Sequence, residues 1–351
     1  MTAADSGPES ARTRPLLDII VPTWNRAACL RLLLETLERE LAGLHDRVAV
    51  LVSDNGSTDD TPAVLAEFAA RLPSLRGVRH AQNLGADENF CRSVEATDGQ
   101  WFWLFGDDDL PAAGLVRLLL DLLAAQSPDL VNLRSDWMPQ LVDNAPDAPL
   151  RDLRAWSLDR QSFARRVNVW TTFISGTVVR RDTFAATAGA AGLRRHTATQ
   201  LVQLSWVLGT LARGTRFLDL RAPCILATSG NTGGYKLIKV FGDHFPAIVE
   251  AEFGAGSPLA VAMLRRLVIG FLPTQLWIFR FGHAGDFGHE DVAATLRPRL
   301  GRVPGFSLLV AIGHAGRPVA AVALRCCAIV NRLVRLADRA SAWWAGSRRL
   351  T

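Results

Sequence analysis

Three consecutive aspartates, Asp107, Asp108 and Asp109, follow the aromatic run Gln100–Phe105 and Gly106. Adjacent carboxylates resist ionising together unless a cation neutralises them. Hard divalent cations take carboxylate oxygens, and Mg2+ is commonly held by one or two carboxylates plus substrate phosphates. The triplet therefore points to Mg2+ or Mn2+ and a phosphate-bearing substrate. A solvated acidic turn capping the next helix is the plainer alternative. A second polar run spans Ser53 to Thr61 (SDNGSTDDT), a turn followed by a helix N-cap signal. Asp54 ends an apolar stretch there, and a carboxylate can accept a hydrogen bond from a nucleobase. The third cluster is Thr23-Trp24-Asn25, directly after Pro22. A fourth candidate is the glycine-rich loop Gly230–Lys236, with Asn231, Lys236 and the chain's single tyrosine, Tyr235. Glycines permit close backbone approach to a ligand, and Lys236 can meet a diphosphate. Its spacing is not that of the phosphate-binding GxxxxGK[ST] loop.

The elements that would position these residues alternate. Leu16–Val21 and Val48–Val52 read as buried strands, Gly77–His80 as a short one, and Gln100–Phe105, Asp129–Leu133 and Phe173–Val179 as three more. Helical periodicity covers Arg26–Leu41, Thr61–Leu72, Asp87–Ala96 and Leu115–Ala125. Such alternation predicts an α/β fold with a mostly parallel sheet flanked by helices. In such sheets ligands bind beyond the carboxyl ends of the strands. The clusters at Thr23, Asp54 and Asp107–Asp109 all fall at strand ends.

Composition bounds the rest. With 351 residues, 49% hydrophobic and 21% charged, the chain is globular and can bury a core without staples. Its five cysteines form no CxxC pair, which disfavours a structural zinc site or a disulfide framework. Residues 1–14 are small and polar and read as a disordered lead-in without the apolar region of a secretory signal. The net charge is +5. From Arg317 to Arg349 seven arginines face a single acid, Asp338, and more than account for that excess. The remainder is close to neutral, which disfavours a nucleic-acid surface. Val319, Val322, Cys326, Ile329, Leu333 and Leu336 recur there at helical spacing, and Trp343 and Trp344 close the segment. A basic amphipathic helix of this kind reads as membrane-interface binding, or as a helix packed on its own domain. Leu267–Phe279 is uncharged but too short to span a bilayer.

Four motifs, in order, resemble the GT-A fold nucleotide-sugar glycosyltransferases of family 2. They are Ile19–Arg26 (IIVPTWNR), Ser53–Thr61, Asn83-Leu84-Gly85 and Gly106–Asp109. Gly85–Phe90 and Trp103–Asp109 are most similar to the abequosyltransferase-like branch, which acts on cell-surface glycans. The resemblance implies a GT-A domain over residues 15–250, followed by a helical C-terminal region over 251–351. It implies a nucleotide-sugar donor held by Pro22, Thr23, Asn25, Asp54, Asn55, Asn83, Asp107 and Asp108. It implies Mg2+ or Mn2+ on Asp109 with Asp107, and a hydroxyl acceptor on a cell-envelope polysaccharide or polyprenyl-linked glycan. The expected site is cytoplasmic, peripheral on the inner face of the membrane. Asn55 stands where the family usually has a second acid. Inverting members carry a Glu-Asp pair after the acceptor-side strand, one acid acting as general base. No acid lies between Asp182 and Asp219. His196 is the nearest titratable replacement and Asp182 the fallback. A nucleotidyltransferase, or a degenerate fold that binds a glycan or partner, are the other readings.

Overall fold

The computed structural model describes residues 14–138, 150, 153–188, 192–228, 237–282, 291–344 and 348–349. The lead-in, apart from Arg14, and the loop bearing Asn231, Tyr235 and Lys236 lie outside the described residues. Ten strands form one sheet. In chain order they are β1 (Leu17–Thr23), β2 (Val48–Asp54), β3 (Leu75–Arg79), β4 (Trp101–Leu104) and β5 (Leu110–Pro111). There follow β6 (Leu130–Met138), β7 (Ala155–Leu158), β8 (Thr177–Arg180), β9 (Phe217–Thr228) and β10 (Arg348–Arg349). The spatial order is β10-β7-β9-β6-β8-β4-β1-β2-β3, with β5 on β9.

The first half matches the expected parallel alternation. β1 pairs in parallel with both β2 and β4, and β2 with β3. Between them run α1 (Ala27–Glu40), α2 (Thr61–Arg71) and α3 (Ala86–Glu95), and α4 (Leu115–Gln126) precedes β6. All seven residues of β1 are buried, as expected of a strand covered by helices on both faces. α1 turns Leu30, Leu33, Leu34 and Leu37 inward, and each such side chain contributes about 1.5–3 kcal/mol of apolar burial.

The second half is mixed. β8 runs antiparallel to both β4 and β6. β6 and β9 are parallel to one another, with a register shift between Leu133 and Ser135. Phe173–Gly176 is not strand, as its apolar character suggested. It follows one short 3-10 turn, Asn168–Thr172, and forms a second, Ile174–Gly176, before β8 begins at Thr177. The register explains the turns: Trp103 Nε1 donates to the Ser175 carbonyl at 2.8 Å, which draws this segment across the end of β4.

Helices from Leu237 onward cover one face of the sheet. Leu267, Leu272 and Leu276 share a continuous apolar cluster with Phe102, Phe163, Trp206 and Phe217. Pro258–Phe281 is long and apolar enough to cross a membrane, but more than half of it is buried inside the protein. Its Arg280 donates to the carbonyls of Ile312 and Ala315, as a core helix would. The last helix, Arg317–Trp344, buries Ala320, Ala323 and Cys327. It leaves Val319, Val322, Ile329, Leu333 and Leu336 exposed, Ile329 and Leu333 at 61%.

Candidate active site

β1, β2 and β4 end side by side, and the three polar clusters meet there. Thr23 closes β1 and donates from Oγ1 to Asp107 Oδ2 at 2.7 Å. Arg26, at the start of α1, reaches Asp107 Oδ1 at 3.1 Å and Asp108 Oδ2 at 2.8 Å. Ser175 Oγ donates to Asp109 Oδ2 at 2.5 Å and accepts from the Gly106 amide at 2.8 Å. The Thr228 amide, at the end of β9, lies 3.3 Å from Asp109 Oδ1. Gly106 is required for this packing: a Cβ there would stand 2.9 Å from Asp109 Oδ2. Asp107 and Asp109 are 5% and 4% exposed. Burial pushes the Asp107 carboxyl up to about 6 against the pull of Arg26 and Thr23. Burial pushes Asp109 up to about 7, against Ser175, with Asp108 adding to the rise. For Arg26 burial acts downward, but the two aspartates outweigh it and hold its pKa above the ordinary value.

The triplet is thus a carboxylate cluster that is costly to ionise, with Arg26 bridging Asp107 and Asp108. This fits a divalent metal: Asp107 and Asp109 offer hard oxygens, and their raised pKa values record the cost of ionising without one. Among the described residues no group of three His, Cys, Asp or Glu side chains gathers as a metal cage. Two carboxylates completed by substrate phosphates is the arrangement Mg2+ favours.

Asp54 is fully buried at the end of β2. Its Oδ1 accepts from the Ser57 amide at 2.8 Å. Its Oδ2 has no hydrogen-bond partner, though Arg79 Nε stands 3.3 Å away. A buried acceptor left open at a strand end suits a donor on a ligand. Asn25 bridges the clusters: its amide donates to Ser57 Oγ and its Oδ1 accepts from the Thr58 amide. It holds a left-handed φ of 53°, which Asn tolerates better than most residues.

Asn55 and Asn83 are spent on one another. Asn55 Nδ2 donates to Asn83 Oδ1 at 2.9 Å and to the Gly85 carbonyl at 3.3 Å, while Oδ1 accepts from the Leu84 amide. Both side chains thereby brace the loop beside the strand ends, through Asn83 Oδ1 and both ends of the Asn55 amide. An acid at 55 has no proton for these acceptors, which explains the amide there. Asn55→Asp is expected to destabilise the fold by about 2–3 kcal/mol, read as a lower urea midpoint with unchanged slope.

The two expected general bases lie elsewhere. β8 runs back toward the opposite end of the sheet, so Asp182 emerges beside the starts of β1 and β4 and pairs with Arg14 at 3.3 Å. An antiparallel strand cannot deliver its C-terminal end to the site. His196 is 7% exposed, its Nε2 2.8 Å from Glu252 Oε1 in the helical layer, and Arg195 joins the same carboxylate. Glu252 thus holds both side chains by hydrogen bonds, and neither His196 nor Asp182 joins the aspartates. Arg26, Ser175 and Thr228 were not singled out from sequence. Arg26 has a signal in hindsight, a base directly after the first strand end. Ser175 has none, since its role depends on the turn that Trp103 anchors.

The description Glycosyl transferase family 2 matches residues 18–184, which takes in every strand-end cluster. A PGL/p-HBAD biosynthesis glycosyltransferase of Mycobacterium bovis is 33% identical over 257 residues, 73% of this chain and 89% of that protein. The chain belongs to glycosyltransferase family 2. Abequosyltransferase RfbV of Salmonella typhimurium is 32% identical to this family 2 member over 114 residues, 32% of the chain and 34% of that protein. The chain thus spans about a third of that relative's length. Among solved structures, S. aureus TarS 1–349 superposes with a TM-score of 0.59 at 14% identity, covering 90% of this chain and 91% of TarS. The mannosyltransferase PcManGT of Pyrobaculum calidifontis, solved with GDP-Man and Mn2+, gives 0.51 at 16%, covering 95% and 88%. These likenesses show that this family 2 chain has the GT-A fold.

Proposed function

We propose that this family 2 member is a metal-dependent glycosyltransferase. It moves a sugar from a nucleotide-diphosphate sugar to a hydroxyl of a cell-envelope polysaccharide or lipid-linked glycan, with inversion. One observation carries the reading: an aspartate triplet with Asp107 and Asp109 buried and the fully buried Asp54 carboxylate share the carboxyl edge of three adjacent parallel strands. Asp54 would accept from the base, with Thr23 and Asn25 keeping the strand ends in register. Asp107 and Asp109 would hold Mg2+ or Mn2+. When bound, that ion supplies Lewis-acid stabilisation of the charge on the leaving diphosphate. Ser175 and the Thr228 amide orient Asp109, and Thr23 with Arg26 orients Asp107. Arg26 offers a second positive charge to the departing phosphates. In the transfer the bond from the anomeric carbon to the diphosphate oxygen breaks, the nucleoside diphosphate leaves with that oxygen and its electron pair, and a bond to the acceptor oxygen forms as its hydroxyl proton passes to water. Metal-dependent release of nucleoside diphosphate from a panel of nucleotide sugars tests this.

The same proposal has the enzyme work at the inner face of the membrane. The exposed apolar row of Arg317–Trp344 is flanked by Arg325 and Arg332, while Asp338 is turned inward at 9% exposure. A second copy of this helix would bring arginine against arginine, whereas anionic lipid supplies the opposite charge. Leu333→Glu should leave folding intact, because the side chain is exposed, and should abolish most co-sedimentation with anionic vesicles. Full retention would put the membrane contact elsewhere.

A further inference from the structure

Beyond the donor site the protein holds a cavity of about 890 Å³. It opens between the second half of β6, β7, helix Arg160–Val167 and the last helix. Among its described lining residues are seven arginines, including Arg154, Arg166, Arg221, Arg266 and Arg335, and one carboxylate, Asp338. Arg166 and Arg221 also share the buried Asp219 behind the wall, at 3.3 and 2.6 Å. Asp338 is divided between Arg165 at 3.8 Å and Arg265 at 4.0 Å. Positive charge is therefore in clear excess. Arg266 registers it: burial, with Arg335, Arg265 and Arg221 nearby, pulls its pKa down to about 10 although Asp338 opposes this. Its buried Nε has no hydrogen-bond partner. Guanidinium groups crowded in this way match the oxygens of phosphate through paired N–H donors.

The cavity's other wall is aromatic. Trp137 and Trp170 are 47% and 46% exposed, and Trp137 packs on Phe173 with ring centroids 5.1 Å apart. Phe173 stands two residues before Ser175, which hydrogen-bonds Asp109. Flat aromatic faces with polar surroundings suit a sugar ring. On the far side, Arg335 and Asp338 line the cavity from the helix whose Leu333 and Leu336 face outward. The Trp137–Phe173 contact thus joins the cavity wall to the segment whose Ser175 holds Asp109, and Arg335 and Asp338 join it to the helix with the exposed apolar row.

We propose that this cavity binds the phosphate group of the acceptor, so that the acceptor is a phosphate-bearing glycan whose sugar lies on Trp137 and Trp170. This deepens the transferase reading and rests on it for the word acceptor. The phosphate can belong to a lipid carrier or to a soluble sugar phosphate.

Binding can be read without catalysis, which separates its failure from failure of the donor site. Calorimetry in chelator uses inorganic diphosphate as the probe, at low and moderate salt, on the full chain. The expected result is binding that weakens with salt and falls at least tenfold in the Arg154→Gln/Arg335→Gln double variant. Both side chains are exposed, so the fold should persist, and circular dichroism checks it. Asp109→Asn should retain the binding, because the aspartates repel the probe. A second arm uses a short prenyl diphosphate in detergent. Tighter binding than inorganic diphosphate, lost with Leu333→Glu, identifies a lipid-linked source; equal binding identifies a soluble one. No diphosphate binding, or binding that the double variant leaves unchanged, overturns the proposal while leaving the donor-release assay to stand or fall alone.

Discussion

Replacing Asp109 with asparagine is expected to cut metal-dependent release of nucleoside diphosphate by about 100-fold or more. The amide keeps the size of the carboxyl and can still meet Ser175 Oγ and the Thr228 amide. What it lacks is the charge, so a large loss isolates electrostatics from shape. The same substitution has a signature in stability. In the chelated protein burial holds the Asp109 carboxyl at about 7, above its ordinary 3.8. The native state therefore binds more protons than the unfolded chain between those values. Stability in chelator falls as pH rises from about 4 to about 7. Asp109→Asn should flatten that fall, and Mn2+ should offset it in the wild type. Thermal unfolding across pH 4.5–7.5, with and without Mn2+, reads both effects. A wild-type profile that ignores pH and Mn2+ would remove Asp109 from the metal-binding role.

Arg26→Ala is expected to have the second-largest effect. Its guanidinium forms salt bridges with both Asp107 and Asp108. Asp107 is buried and already pushed up to about 6 with the arginine present. Without it, Asp107 and Asp108 lose the cation that bridges them. Breaking a fully buried pair costs about 3–5 kcal/mol. Arg26 is 30% exposed, so solvent screens part of that and a loss of about 2–3 kcal/mol is expected in chelator. The loss should grow as pH rises through 6, where Asp107 ionises, and should shrink in Mn2+. Denaturant midpoints at pH 5 and pH 7.5, with and without metal, measure it. A loss that is equal under all four conditions would mean that Arg26 acts through packing alone.

The nucleotide half of the site was legible because its chemistry is local. Strand-end signals and polar clusters coincide at Thr23, Asp54 and Asp107–Asp109, and parallel β-α units carry such ends to one edge whatever the loops do. The rest of the site was not, because its residues are assembled by non-local pairing. Phe173–Gly176 has the composition of a strand, and only its contact with Trp103 makes it the turn that delivers Ser175. Asp182 follows a strand whose direction the sequence does not encode, and an antiparallel pairing sends it to the wrong edge. His196 has the right chemistry for a base but is claimed by Glu252, 56 residues away. The arginine cavity collects residues from Asn132 to Asp338, too dispersed for any motif. The C-terminal helix was readable as amphipathic and basic. That its apolar row points outward follows from which face Ala320, Ala323 and Cys327 bury.

The central claim is that the aspartate triplet is a metal-assisted donor-diphosphate site. Release of nucleoside diphosphate from a panel of nucleotide sugars tests it most directly, with purified full-length protein titrated with Mn2+ and then with chelator. The expected result is release from at least one donor that rises with Mn2+, stops on chelation, and is lost in Asp109→Asn. Release from no donor at any Mn2+ concentration, or equal release by wild type and Asp109→Asn, would contradict it.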